Sequence, residues 1–124
     1  IPLHGNGIVT REAIIKAKRP VVARFARAVT EAIHYIKADK DGTKAIIGKY
    51  TKFTDPDGLE RTYKNYTSVL LDVPYADPAG IKTLLDDMAP RNPKAAAADP
   101  KTFVDSSFVQ ELELSGFIKQ LSKR

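Results

Sequence analysis

Few side chains in this sequence have the chemical types that catalysis or metal binding requires, and their spacing keeps them apart. The two histidines, His4 and His34, are distant from each other, and neither has a His or Glu four residues away on one helix face to complete a metal site. Carboxylates pair at Asp86-Asp87 and at Glu111/Glu113. Both pairs fall on outward-reading helix positions with no apolar pocket to raise a pKa, which gives acid/base chemistry no foothold. There is no cysteine, hence no disulfide, zinc-thiolate site or thiol nucleophile. The serines lack a nucleophile-elbow context, and no glycine-rich stretch follows a strand in the phosphate-binding pattern. What is left is Gly5-Asn6-Gly7 with Thr10. Read plainly, Gly-Asn-Gly is a turn; it can also present backbone amides to a small anion, with Thr10 at the positive end of a helix. Gly5, Asn6, Gly7 and Thr10 are therefore the candidate ligand-binding residues, and the sequence nominates no catalytic residue, metal or cofactor.

The elements that must position these residues belong to one modest domain, spanning 1–124. A chain of 124 residues with 43% apolar residues can build one core and not two. No apolar run approaches the roughly 18 residues needed to cross a bilayer. The opening Ile1-Pro2-Leu3-His4 has neither a Met nor the basic and apolar regions of a signal peptide, and it reads as the cut end of a longer precursor. The net charge of +5 is uneven: residues 1–53 hold 11 Lys/Arg against 4 Asp/Glu, and residues 54–124 hold 9 against 11. A basic half suits nucleic acid, an anionic surface, small anions or simply a solvated helical face. Without interleaved exposed aromatics or a recognition-helix pattern, the sequence argues against nucleic acid as a partner.

Asp-Pro pairs at 55–56, 77–78 and 99–100 mark helix starts, because Asp accepts from the free amides of the first turn and Pro just inside has its φ preset. Their even spacing invites a repeat, but the residues that follow them share no core pattern. Earlier in the chain, Ile8-Val9-Thr10 reads as one short strand. Thr10 is expected to cap a helix running to about Lys18, and Pro20 to open the longest helix, ending near Asp39. In that helix Val22, Phe25, Val29, Ala32, Ile33 and Ile36 form a core stripe opposite a basic outer face with Arg24, Arg27, Glu31 and Lys37. Asp41 is expected to cap a helix burying Ala45, Ile46, Ile47 and Tyr50. Thr54 or Asp55 starts one burying Leu59, Tyr63, Tyr66 (or Thr62) and Leu70, and Asp77-Pro78 one burying Ile81, Leu84, Leu85 and Met88. A proline- and alanine-rich connection with a single turn near Pro93 leads to a helix from about Asp105 that buries Phe108, Val109 and Leu112 and stops at Ser115-Gly116. Phe117, Ile118 and Leu121 form a last apolar patch before a frayed basic terminus.

Four stretches in order carry a family resemblance: Phe25 to Ile36; Asp55-Pro56-Asp57-Gly58-Leu59-Glu60 with Tyr63; Val73-Pro74-Tyr75 with Pro78-Ala79-Gly80-Ile81; and Phe103 to Val109 with Ser115-Gly116-Phe117-Ile118. Together they resemble the C-terminal part of the nitrate/sulfonate/taurine-type solute-binding proteins of ATP-binding-cassette (ABC) importers, a group that includes the thiamine-pyrimidine-synthase-like proteins. The resemblance implies a mainly α chain, the C-terminal helical portion of a type II periplasmic-binding (α/β) fold, with one short N-terminal strand entering a sheet of the second lobe. It also implies a periplasmic or extracytoplasmic location and non-catalytic delivery of a small, often anionic solute such as nitrate, a sulfonate, taurine or bicarbonate. Partners in the intact protein would be that solute and the importer's membrane subunits, and Gly5, Asn6, Gly7 and Thr10 would lie near the cleft. The synthase members use a cysteine-rich motif that this chain lacks, which argues against enzymatic activity. The alternative is a helical scaffold or assembly subunit derived from that fold. Its apolar surface would then dock on a larger protein or on further copies of itself.

Overall fold

Seven α-helices and one 3₁₀ turn follow one another along residues 7–123, the part of the chain that the computed structural model describes. The chain is mainly helical, and no strand occurs among the described residues. The strand expected at Ile8-Val9-Thr10 is irregular, exposed backbone, with Val9 93% exposed. An extended segment becomes a strand only beside a partner that satisfies its amides and carbonyls, and none of the described residues offers one.

Helix α1 (Glu12–Ala38) joins the two helices expected before and after Pro20, with a break at Lys18 (φ −136°, ψ 36°). Pro20 donates no hydrogen bond and crowds the preceding turn, so the helix bends just ahead of it. The capping position is occupied by Arg11 and carries no side-chain bond, so Thr10 does not cap. Asp39 ends α1 and starts α2 (Lys40–Thr51): its N–H donates to the Tyr35 carbonyl (2.9 Å), and its carboxylate accepts from Gly42 N–H (2.8 Å). The cap expected at Asp41 is thus two residues earlier, which leaves no loop between the helices.

Asp55 starts α3 (Pro56–Val69) by accepting from Gly58 N–H at 2.7 Å. A Cβ on Gly58 would run into the Phe53 ring, so glycine is what lets that ring close over the helix start. Asp77 does the same for α4 (Pro78–Met88) through Ala79 N–H, and Asn92 for the short α5 (Pro93–Ala96) through Lys94 N–H. The third Asp-Pro pair opens only a 3₁₀ turn, Pro100–Phe103. Asp105 accepts from the amide and hydroxyl of Ser107 (3.0 and 2.6 Å) at the start of α6 (Ser107–Leu114). Gly116, at φ 77°, turns the chain directly into α7 (Phe117–Leu121).

Helix α1 is the spine: α6 and α7 pack along it, α2 folds back against its end, and α3 lies on α2, while α4 carries α5 and the 3₁₀ turn. The densest core is C-terminal. Leu112, Phe117, Ile118 and Leu121 are buried together, with Val73 and Val109 packed against them. The patch expected beside a frayed end is therefore a helix at the centre of the hydrophobic packing.

The buried side of α1 differs from the expected stripe. Ala26, Thr30 and Ile33 turn inward with Val22, Val29 and Ile36, while Phe25 (55% exposed) and Ala32 face out. The cause lies in two arginines. Arg19 stacks over the Phe108 ring at 4.3 Å and bonds Ser107 and Glu111, and Arg27 stacks over Phe117 at 3.9 Å. Guanidinium planes with long apolar stems cover aromatic faces while their heads stay wet, so α6 and α7 settle on the side of α1 that the sequence marks as its basic outer face. Thr30 is tolerated inside because its hydroxyl donates to the Ala26 carbonyl at 2.9 Å. The other helices bury fewer apolar positions than expected: Ile46, Tyr50, Leu84 and Met88 are exposed, and on α3 Thr62 turns in where Tyr66 turns out.

Candidate functional site

Of the four candidate ligand-binding residues, Gly7 and Thr10 lie in the exposed irregular segment before α1, and Gly5 and Asn6 fall outside the described residues. His4 falls outside them as well. Among the described residues no group of three His, Cys, Asp or Glu is placed to hold a metal ion.

His34 is the one described histidine, and α1 holds it beside the loop after α3. Its Nε2 lies 2.9 Å from the Asp72 carbonyl oxygen. A carbonyl can only accept, so Nε2 carries the proton and a neutral ring keeps Nδ1 as its acceptor. Next to it Lys37 Nζ binds the Asp72 carboxylate at 2.7 Å, and this ammonium holds the Asp72 carboxyl below its ordinary range. Two shallow clefts meet here, both lined by His34, Ala38 and Leu121, with volumes of about 170 and 270 Å³. Both fall short of the roughly 300 Å³ at which small-molecule pockets begin. The His34 contact therefore reads as a clasp between α1 and the Asp72 loop.

The paired carboxylates are engaged by neighbours in ways that consume their chemistry. Asp86 binds Lys82 at 2.7 Å, Asp87 binds Arg91 at 3.3 Å, Glu111 binds Arg19, and Glu113 accepts from the Tyr75 hydroxyl at 2.7 Å. That last bond draws the chain after Val73 onto α6 and pushes the Tyr75 hydroxyl up from its usual pKa. The strongest electrostatic feature joins α2 and α3. Lys40, Lys44 and Lys64 stand 2.6, 3.2 and 3.5 Å from the Glu60 carboxylate. Hydrogen bonding, first from Lys40, lowers the Glu60 pKa to about 2. With every acceptor site facing an ammonium, this cluster is a staple between helices.

The surface is where the structure departs most from a self-sufficient domain. It exposes 9133 Å², whereas a compact monomer of 13.7 kDa exposes about 6,600 Å² by the scaling of accessible area with mass. Even half of that roughly 2,500 Å² surplus exceeds the ~800 Å² that each partner contributes to a standard protein interface. Much of the uncovered area is large and apolar: Phe25, Tyr50, Tyr66, Leu71, Phe103 and Leu114 all stand out in solvent. Sequence reasoning placed Phe25, Tyr50 and Tyr66 inside, because it assigned one buried face to each helix and had no count of the helices available to cover them.

Comparison with protein-family models, curated proteins and solved structures finds no match to this chain. Its function is therefore argued from its own residues: a surface built for contact, without a pocket or reactive cluster among the described residues.

Proposed function

We propose that this chain is a non-catalytic helical docking unit, whose apolar outer faces are covered in the cell by a larger protein body. The observation that carries this reading is the surplus exposed surface, which a domain complete in itself would have buried. The ordered resemblance puts the lobes of an extracytoplasmic solute-binding protein of the nitrate/sulfonate/taurine type first as that body. The chain would then help close a clamshell that hands a small anion to the membrane subunits of an ABC importer. One observation favours a second reading, a scaffold or assembly subunit on a separate partner. Residues 8–10 do not form the strand that would enter a lobe's sheet, so the tie to the lobes rests on the helices alone.

The test is the native mass of the protein in extracts of its source, read by size-exclusion chromatography with mass spectrometry of the fractions. Peptides of this chain are expected in a species larger than two copies. If its peptides are continuous with upstream sequence in one polypeptide, the lobes are the body; if they co-migrate with a different protein, the scaffold reading holds. A native mass of one or two copies of the bare chain overturns both.

A further inference from the structure

On the outer side of α1, the residues Lys18, Val21, Phe25, Ala28, Ala32 and Tyr35 follow one another at alternating steps of three and four, and all six are exposed. This is the a/d alternation of a helix that packs against another helix, carried on the face that no other element of the chain covers. Apart from Lys18 it is free of charge. Beyond the bend, Ile14 extends the series at the same interval and is exposed too.

We propose that this strip pairs with the same strip of a second copy, antiparallel, in a weak homodimer. Two features of the strip specify that occupant. The first is volume. Aligning Phe25 with Ala28 of an antiparallel second copy also aligns Val21 with its Ala32 and Lys18 with its Tyr35, so each large side chain meets a small one and the ammonium meets an aromatic ring. A parallel pair would set Phe25 on Phe25 and leave both alanine layers hollow, and voids of that kind are destabilising.

The second feature is charge. Arg24 and Glu31 each precede a strip residue by one position, on the same flank. The antiparallel alignment brings Arg24 beside Glu31 of the second copy, and the two-fold axis makes the pair twice. In a parallel pair Arg24 would face the apolar flank at Val29. The strip is about 26 Å long from Lys18 to Tyr35 at 1.5 Å per residue, and a helix pair of that length covers on the order of 500 Å² per partner. That is below the ~800 Å² of a standard interface, and the dimer is accordingly expected to dissociate in the micromolar range. The pairing goes beyond the docking reading above and uses only the α1 face, leaving Tyr66, Leu71 and Phe103 for the larger body.

Sedimentation equilibrium of the full chain from about 1 to 100 μM tests it. A monomer–dimer equilibrium is expected. Phe25→Asp should weaken association at least about tenfold, with an unchanged helical circular dichroism spectrum because Phe25 lies outside the core. Arg24→Glu alone should also weaken it by setting like charges side by side, and Arg24→Glu together with Glu31→Arg should restore it. That rescue is specific to the antiparallel register and touches only surface residues. A monomer at the highest concentration, an oligomer indifferent to Phe25→Asp, or a double charge swap no better than the single one would each overturn the proposal. A monomeric chain in this experiment leaves the docking reading untouched, since that is decided by the native mass in the source extract.

Discussion

Asp39, Asp55, Asp77, Asn92 and Asp99 each place a side-chain oxygen on a backbone amide of the turn that follows. Local chemistry of this kind needs no distant partner, which is why three of these starts are legible in the sequence as Asp-Pro pairs. Gly116 is equally local. Its positive φ ends α6 and launches α7, and a Cβ there would meet nothing within 4 Å. The cost of Gly116→Ala is then backbone strain alone, about 1 kcal/mol, measurable as a lower urea midpoint with an unchanged slope. His34 and the paired carboxylates could be nominated as residues but not judged as sites. What each does depends on Asp72, Lys82, Arg91, Arg19 and Tyr75, and for three of these the partner comes from elsewhere in the sequence.

At the scale of elements, the face each helix buries is decided by what arrives against it. Phe25 and Phe117 make the contrast measurable. Phe117→Ala is expected to cost about 3 kcal/mol, since it empties part of the core and removes the surface on which Arg27 stacks. Phe25→Ala should stay within about 0.5 kcal/mol of the parent. Chemical denaturation of the two variants checks this, and the reverse order would mean that α1 is rotated. The union of α2 and α3 has a pH signature of its own. The Glu60 carboxyl titrates at about 2 in the fold against an ordinary 4.5, so between those values the folded state binds fewer protons than the unfolded one. Stabilisation from this staple is complete above about pH 4.5 and is lost as pH falls toward 2. Glu60→Gln should therefore melt below the parent at pH 7 and together with it near pH 2, as followed by circular dichroism.

For the whole molecule, the surplus surface sets how steeply the chain unfolds. The unfolded chain exposes about 1.45 Å² per dalton, so the structure hides roughly a fifth less area on folding than a compact domain of its mass. The slope of unfolding free energy against urea scales with that area and is expected to be about a fifth lower as well. A slope typical of a compact 13.7 kDa domain would mean that the isolated chain closes up further in solution, which would remove the surface on which the docking reading depends. The same surplus explains the limit on any ligand reading: helices that do not enclose one another leave grooves of 170 to 270 Å³, too small to bury a solute without another body to form the opposite wall.

By itself the sequence determined the helical class, nearly every helix start and stop, and the bend before Pro20, because caps, prolines and a left-handed glycine act within four or five residues of one another. The apolar steps of α1 were legible too, yet they run round much of its circumference, and periodicity does not say which side another helix will cover. Tertiary structure made that choice by stacking Arg19 and Arg27 on Phe108 and Phe117, residues remote in sequence. It also withheld from Ile8-Val9-Thr10 the neighbour that a strand requires, since strand pairing, unlike a helix cap, is never satisfied from within the segment.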